Sequence, residues 1–120
     1  MKIKSFEDIE AWKKAREITS LIYKATGKDK FNKDYGLKDQ IQRASVSIMS
    51  NIAEGFDSST NPEFARYLSI ARRSASEVQS QLYIALDQGY IIKEEFDALY
   101  NKTEETRKMI TGFIKYLKNS

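Results

Sequence analysis

Two stretches of this chain place apolar or small side chains at alternating four- and three-residue steps, and that spacing narrows the fold more than any other feature. From Phe64 the series runs through Leu68, Ala71, Ala75, Val78, Leu82 and Ala85; from Phe96 it runs through Leu99, Thr103, Thr106, Ile110, Phe113 and Leu117. One such residue about every 3.5 positions keeps a single stripe of an α-helix turned toward a neighbouring helix. The helices that carry these stretches are joined by only Gly89, Tyr90, Ile91 and Ile92, so they must turn back on each other. No segment sustains period-two alternation, and no Asn-Gly or Asp-Gly pair signals a hairpin.

The same periodicity reads two earlier helices. The first spans 6–26, with Ser5 as N-cap, Asp8 as its capping-box partner and Gly27 as the stop; Ile9, Trp12, Ile18, Leu21, Ile22 and Ala25 form its core face. The second spans 35–54, with Leu37, Ile41, Ala44, Ile48 and Ile52 on one stripe and Gly55 ending it. The third spans 61–88, with Asn61 as N-cap and Pro62 at the first helical position, and the fourth spans 93–118. Residues 27–35 form a polar connection in which Phe31 tucks back onto the core. Short connections make successive helices alternate in direction. The expectation is one all-α domain over 1–120, an antiparallel up-down-up-down four-helix bundle.

With no cysteine and no histidine anywhere, the chain lacks thiolate nucleophiles, disulfides, imidazole bases and the usual zinc ligands. No enzyme, cofactor, metal site or small-molecule substrate is expected. The acid pairs Glu94-Glu95 and Glu104-Glu105 lack the Glu-x-x-His motif of metal-holding bundles. Beside Lys102, Arg107 and Lys108 they read as solvated ion pairs. The first residues lack the apolar run of a signal peptide, and nothing approaches the roughly 18 apolar residues of a membrane span. A soluble, cytoplasmic protein with no membrane partner is expected.

The net charge is +3, from 20 basic against 17 acidic residues, which permits nucleic-acid contact without demanding it. Lys2, Lys4, Lys13, Lys14, Arg16, Lys24, Lys28 and Lys30 form either a basic edge or a solvated helix face. On the second helix Arg43, Ser47, Asn51 and Glu54 share one side, and Arg73 and Glu77 are spaced four apart on the third. Two readings stand. In one, Arg43, Ser47, Asn51, Glu54 and Glu77 make a hydrogen-bonded network within the bundle or across a subunit interface, with Glu54 or Glu77 offsetting Arg43. In the other, Arg43, Arg66, Arg72 and Arg73, with Lys13 and Lys14 as outer charges, bind RNA phosphates or a partner; Arg66 and Arg72 are expected to be freest of acids. Trp12, Phe64, Phe96 and Phe113 read as packing residues, whereas the tyrosines suit a subunit interface or a stacking platform equally.

Residues 40–55 and 63–77, together with Phe6, Asp8, Ile9 and Trp12, carry more than periodicity. The run Arg43-Ala44-x-x-Ser47-Ile48-x-x-Asn51-Ile52-Ala53-Glu54-Gly55 resembles the bacterial four-helix-bundle family named for proteins encoded in intervening sequences of 23S ribosomal RNA genes. That resemblance covers nearly the whole chain. It implies a four-helix bundle, a homo-oligomer resembling a pentameric ring, and no established enzymatic activity. The family also resembles, in architecture, accessory proteins of diversity-generating retroelements, which work with a reverse transcriptase and contact nucleic acid. The chain departs from the family pattern at Met49 in place of a common proline, at Arg73 in place of a common glycine, and at Phe31-Asn32 in place of Phe-Pro. The function expected is a non-enzymatic homo-oligomeric interaction module; the alternative is an accessory protein that binds structured RNA or a nucleoprotein.

Overall fold

In the computed structural model, which describes residues 3–120, the chain forms a 3-10 turn at Phe6–Asp8 and then five α-helices. They are α1 (Glu10–Thr26), α2 (Asp29–Lys33), α3 (Tyr35–Phe56), α4 (Asn61–Asp87) and α5 (Lys93–Lys118). No strand occurs among the described residues. Lys2 of the expected basic edge lies outside them.

Helix ends depart from the expected ones for local reasons. The Asp8 carboxylate accepts from the N–H groups of Lys4 at 2.9 Å and Ser5 at 3.2 Å. The pair closes a 3-10 turn, and extended Ile9 (φ −78°, ψ 120°) buries its side chain before α1 starts at Glu10. The first helix therefore starts later than residue 6. The connection after it is partly helical: α2 is anchored by Phe31, which is buried and stacks on Tyr90 with ring centroids 5.1 Å apart.

Gly55 does not stop the second long helix, because α3 continues through it to Phe56. Its missing side chain instead lets α4 approach: a Cβ there would sit 2.8 Å from Phe64 Cδ1 and 2.9 Å from Tyr67 Cβ. Through Met49, α3 is unbroken. The α4 N-cap is Thr60, not Asn61; its hydroxyl accepts from the Glu63 N–H at 3.2 Å, which moves Asn61 into the helix. At the other end Gly89 takes φ +74°, with Tyr90 N–H bonded to Ala85 O at 2.9 Å and Gly89 N–H to Leu86 O at 3.0 Å. That is the paired bonding of a Schellman stop, which needs a left-handed residue.

α1 packs on α3 and α5, and α4 packs on the same two helices, in a body of 46 × 21 × 19 Å. The α4 seam from Phe64 to Ala85 is buried along its length. On α1 the buried seam is Ala11, Ala15, Ile18, Ile22 and Ala25, which steps by four and three like the others. Leu21, expected in the core, is 37% exposed. Trp12 is only half-buried, packing edge-on to Phe6 at 5.0 Å. On α5, Ile114 is buried and Phe113 half-buried. Thr103 and Thr106 tolerate the core because their hydroxyls donate to the carbonyls of Leu99 at 2.7 Å and Lys102 at 2.9 Å.

Candidate functional site

The apolar stripe of α3 from Leu37 to Ile52 decides which of its polar side chains face outward. Between α3 and α4 those side chains border a groove of about 300 Å³ whose walls include Gln40, Arg43, Ser47, Ser74, Glu77 and Gln81. Ser47 is its hub. Ser74, which is buried, donates its hydroxyl to Ser47 Oγ at 2.8 Å, and Asn51 Nδ2 donates to the Ser47 hydroxyl at 3.0 Å and carbonyl at 2.9 Å. Ser47 and Asn51 thus belong to a network, as one reading expected. Ser74 was missed there; its position between Ala71 and Ala75 on the α4 seam was the available signal.

The charged members stay out of that network. Arg43 is not a buried arginine needing Glu54 or Glu77: its side chain is 79% exposed, and its Nε donates to both Asp39 oxygens at 3.0 and 3.1 Å. The four-residue step back to Asp39 wins because it closes along one helix without desolvating either group. Glu54 and Glu77 are exposed and form no ion pair among the described residues. Gln81 presents a different case. Its Oε1 is shut off from water in the groove wall and has no hydrogen-bond partner among the described residues.

The six cations expected to bind phosphate are not gathered on one face. Lys13 pairs with Glu10 at 3.7 Å, and Lys14 reaches Glu105 on α5 at 3.5 Å. Arg66, expected to be free, bonds Glu63 at 2.6 Å through Nη2, which raises its pKa, and lies 4.8 Å from the Tyr67 ring centroid. Arg72, also expected to be free, is half-buried, with Nη1 donating to Thr111 on α5 at 3.3 Å. Arg73 is exposed and forms no ion pair among the described residues.

On the α4/α5 side, Tyr83, Phe96 and Tyr100 form a ring cluster with centroids 4.9, 5.4 and 5.8 Å apart. Burial is the main cause of the raised Tyr100 pKa. Tyr90 donates its hydroxyl to Asp34 at 2.9 Å, a bond that raises its pKa by favouring the neutral phenol. Glu104 accepts from Arg107 at 3.1 Å and Gln79 at 2.9 Å, and these bonds hold its pKa below the ordinary carboxylate range. No three acids gather as metal ligands among the described residues.

A family model described as 23S rRNA-intervening sequence protein matches residues 7–112, which include the whole Arg43 to Gly55 motif. Among solved structures, the chain is similar to a protein with unknown function from the S23 ribosomal protein family of Bacteroides thetaiotaomicron. The two are 27% identical over 88% of this chain and 98% of that one, with a TM-score of 0.80. No curated protein matches the chain.

Proposed function

This chain belongs to the 23S rRNA-intervening sequence protein family, and from that premise we propose that it is a non-enzymatic module that works by assembling with copies of itself, in the cytoplasm, as a pentamer. The subunit in this reading is an antiparallel up-down-up-down four-helix bundle. Cross-helix hydrogen bonds and one close approach support that topology: Thr19 meets Ser45 and Thr26 meets Gln42, Ser47 meets Ser74 while Gly55 lies against Phe64, and Arg72 meets Thr111 while Gln79 meets Glu104. In each pair of helices one partner's numbers rise as the other's fall. No helix among the described residues is long and apolar enough to cross a membrane.

The observation that carries self-assembly is the open α3/α4 groove, walled by small and polar side chains with exposed Glu77 at its side. Small side chains there, Ala44, Ser47 and Ser74, allow close approach, and elsewhere on α3 and α4 Val46 and Ile84 are exposed. An RNA surface built on Arg43, Arg66, Arg72, Arg73, Lys13 and Lys14 loses support, because four of the six are paired to acids.

Light scattering on the eluting protein at micromolar concentration should give a multiple of the 13.9 kDa subunit mass. Glu77→Arg, an exposed change in the groove, should shift the mass downward while leaving the helical circular dichroism intact. A wild-type protein that elutes only as monomer overturns the proposal.

A further inference from the structure

We propose that the corner where α1 ends, α2 stands and α3 begins binds single-stranded nucleic acid, with Lys24, Lys28, Lys30 and Lys33 holding phosphates and Tyr35 and Tyr23 stacking bases. The charge census leads there. Residues 23–38 hold five lysines against two aspartates, an excess of three that equals the net charge of the whole chain, so everything outside this corner is balanced. One of the two acids is already engaged: Asp34 accepts from the Leu37 N–H at 3.1 Å and from the Tyr90 hydroxyl at 2.9 Å. Lys38 donates to Asn32. Lys24, Lys28, Lys30 and Lys33 are all exposed and form no ion pair among the described residues, whereas Lys13, Lys14, Lys93 and Lys102 each do.

The corner is held in place. Phe31 is 1% exposed and stacks on Tyr90, so the one aromatic residue of α2 points inward and its lysines are left outside. Asp29 starts α2 at φ 45°, a left-handed conformation that a non-glycine residue adopts only where the surroundings compensate. Phe31 burial and the Tyr90 bond to Asp34 supply that compensation.

Two aromatic rings lie in sequence beside these cations. Tyr35 is 76% exposed, among the most open of the large side chains, and Tyr23 is 49% exposed on the wall of a groove of about 450 Å³ shared with Gln42 and Arg43. Lysines interleaved with open rings suit a strand whose bases are unpaired, because the cations take phosphates while every base offers a face for stacking. A duplex hides those faces. An anionic membrane would call for apolar side chains turned outward between the lysines, and apart from Phe31, which is buried, α2 has only Asp29, Lys30, Asn32 and Lys33. The proposal does not depend on self-assembly.

Fluorescence anisotropy of labelled oligouridylate and oligothymidylate against the full-length protein tests it, the two probes telling an RNA from a DNA preference within the same site. Binding should weaken with salt at a log–log slope of about −3, the value for four phosphate contacts on a single strand. The variant Lys24→Ala, Lys28→Ala, Lys30→Ala, Lys33→Ala should lose about tenfold or more in affinity and most of that slope, with helical circular dichroism and oligomer mass unchanged. Tyr35→Ala should lose about fivefold or more, and Tyr35→Phe should retain binding. The proposal fails if the wild type does not bind either probe at low salt, or if the folded quadruple variant binds as tightly. It also fails if Tyr35→Ala has no effect, or if phosphatidylserine vesicles are bound in preference to both oligonucleotides. Light scattering on the same samples separates any of these failures from a failure of self-assembly.

Discussion

The seam between α3 and α4 and the seam between α4 and α5 share a helix and are built on opposite plans. Toward α3, α4 meets small residues: Gly55 leaves no room for a methyl group, and Ser47 and Ser74 bond hydroxyl to hydroxyl. Toward α5, α4 meets bulk and charge, with Tyr83 against Phe96 and Tyr100, Gln79 on Glu104, and Arg72 crossing to Thr111. Small residues bring backbones together and leave polar groups standing outside the contact, which is how the α3/α4 groove arises. Large residues fill their own groove. One helix can therefore present an unfinished face and a finished one.

Substitutions can break this contrast in opposite senses. The largest effect belongs to the bulky seam: Phe96→Ala, at a buried ring, should lower stability by about 3–5 kcal/mol in urea unfolding. A loss below about 1 kcal/mol would mean that Tyr83 and Tyr100 collapse into the space. On the small seam, damage should come from adding atoms. Gly55→Ala should cost about 1–3 kcal/mol, because its methyl would meet Phe64 and Tyr67 inside van der Waals contact. Gly112→Ala is the matched control, since a Cβ there meets nothing within 4 Å, and it should stabilise α5 by up to about 1 kcal/mol. Equal effects from the two glycine changes would refute the close-approach account.

The smallest effect is electrostatic and separates the seams by pH. Glu104 has its folded pKa lowered by Arg107 and Gln79, so its contribution is present above the unfolded carboxylate value and is lost as pH falls through the folded one. About a third of its side chain is exposed, which screens the effect to below about 1 kcal/mol. Glu104→Gln should flatten the acid limb of the stability curve, whereas Ser74→Ala, which removes only neutral hydroxyl bonding, should lower the curve evenly. An unchanged acid limb in Glu104→Gln would exclude Glu104 as a source of the pH dependence.

Much of the α4 and α5 seams can be read directly from residue spacing, because a helix shows its partner the same face at every turn. The α1 seam was harder to see: Ala11 and Ala15 give a weak apolar signal beside Trp12 and Leu21, which the register of α3 and α5 leaves at the edge. Helix ends were legible to within a few residues: Ser5 caps as expected, but a 3-10 turn and not α1, and the departures at Gly55 and Asn61 each have a local reason. A capping serine can close a 3-10 turn, a glycine can serve a neighbour rather than a stop, and Thr60 competes with Asn61 for one cap.

The candidate site was less legible. Ser47 and Asn51 could be placed on one side of α3 by counting, but which acid takes each arginine depends on rotamers and on neighbours from other helices. Asp39 takes Arg43 where Glu54 or Glu77 had been expected, and Glu63 and Thr111 engage Arg66 and Arg72, which had been expected to be free.

By itself the sequence determined an all-α chain, the places of its long helices to within a few residues and most of the buried stripes of α4 and α5, all properties of spacing within a dozen or so residues. Only the tertiary structure decided that Gly55 is a point of contact, that among the described residues Gln81 Oε1 is left without a partner, and that four lysines on and beside α2 are unpaired there while four of the six cations first marked for phosphate are held by acids. Those outcomes require two helices in one register, and pairing between side chains distant in sequence leaves no period to count.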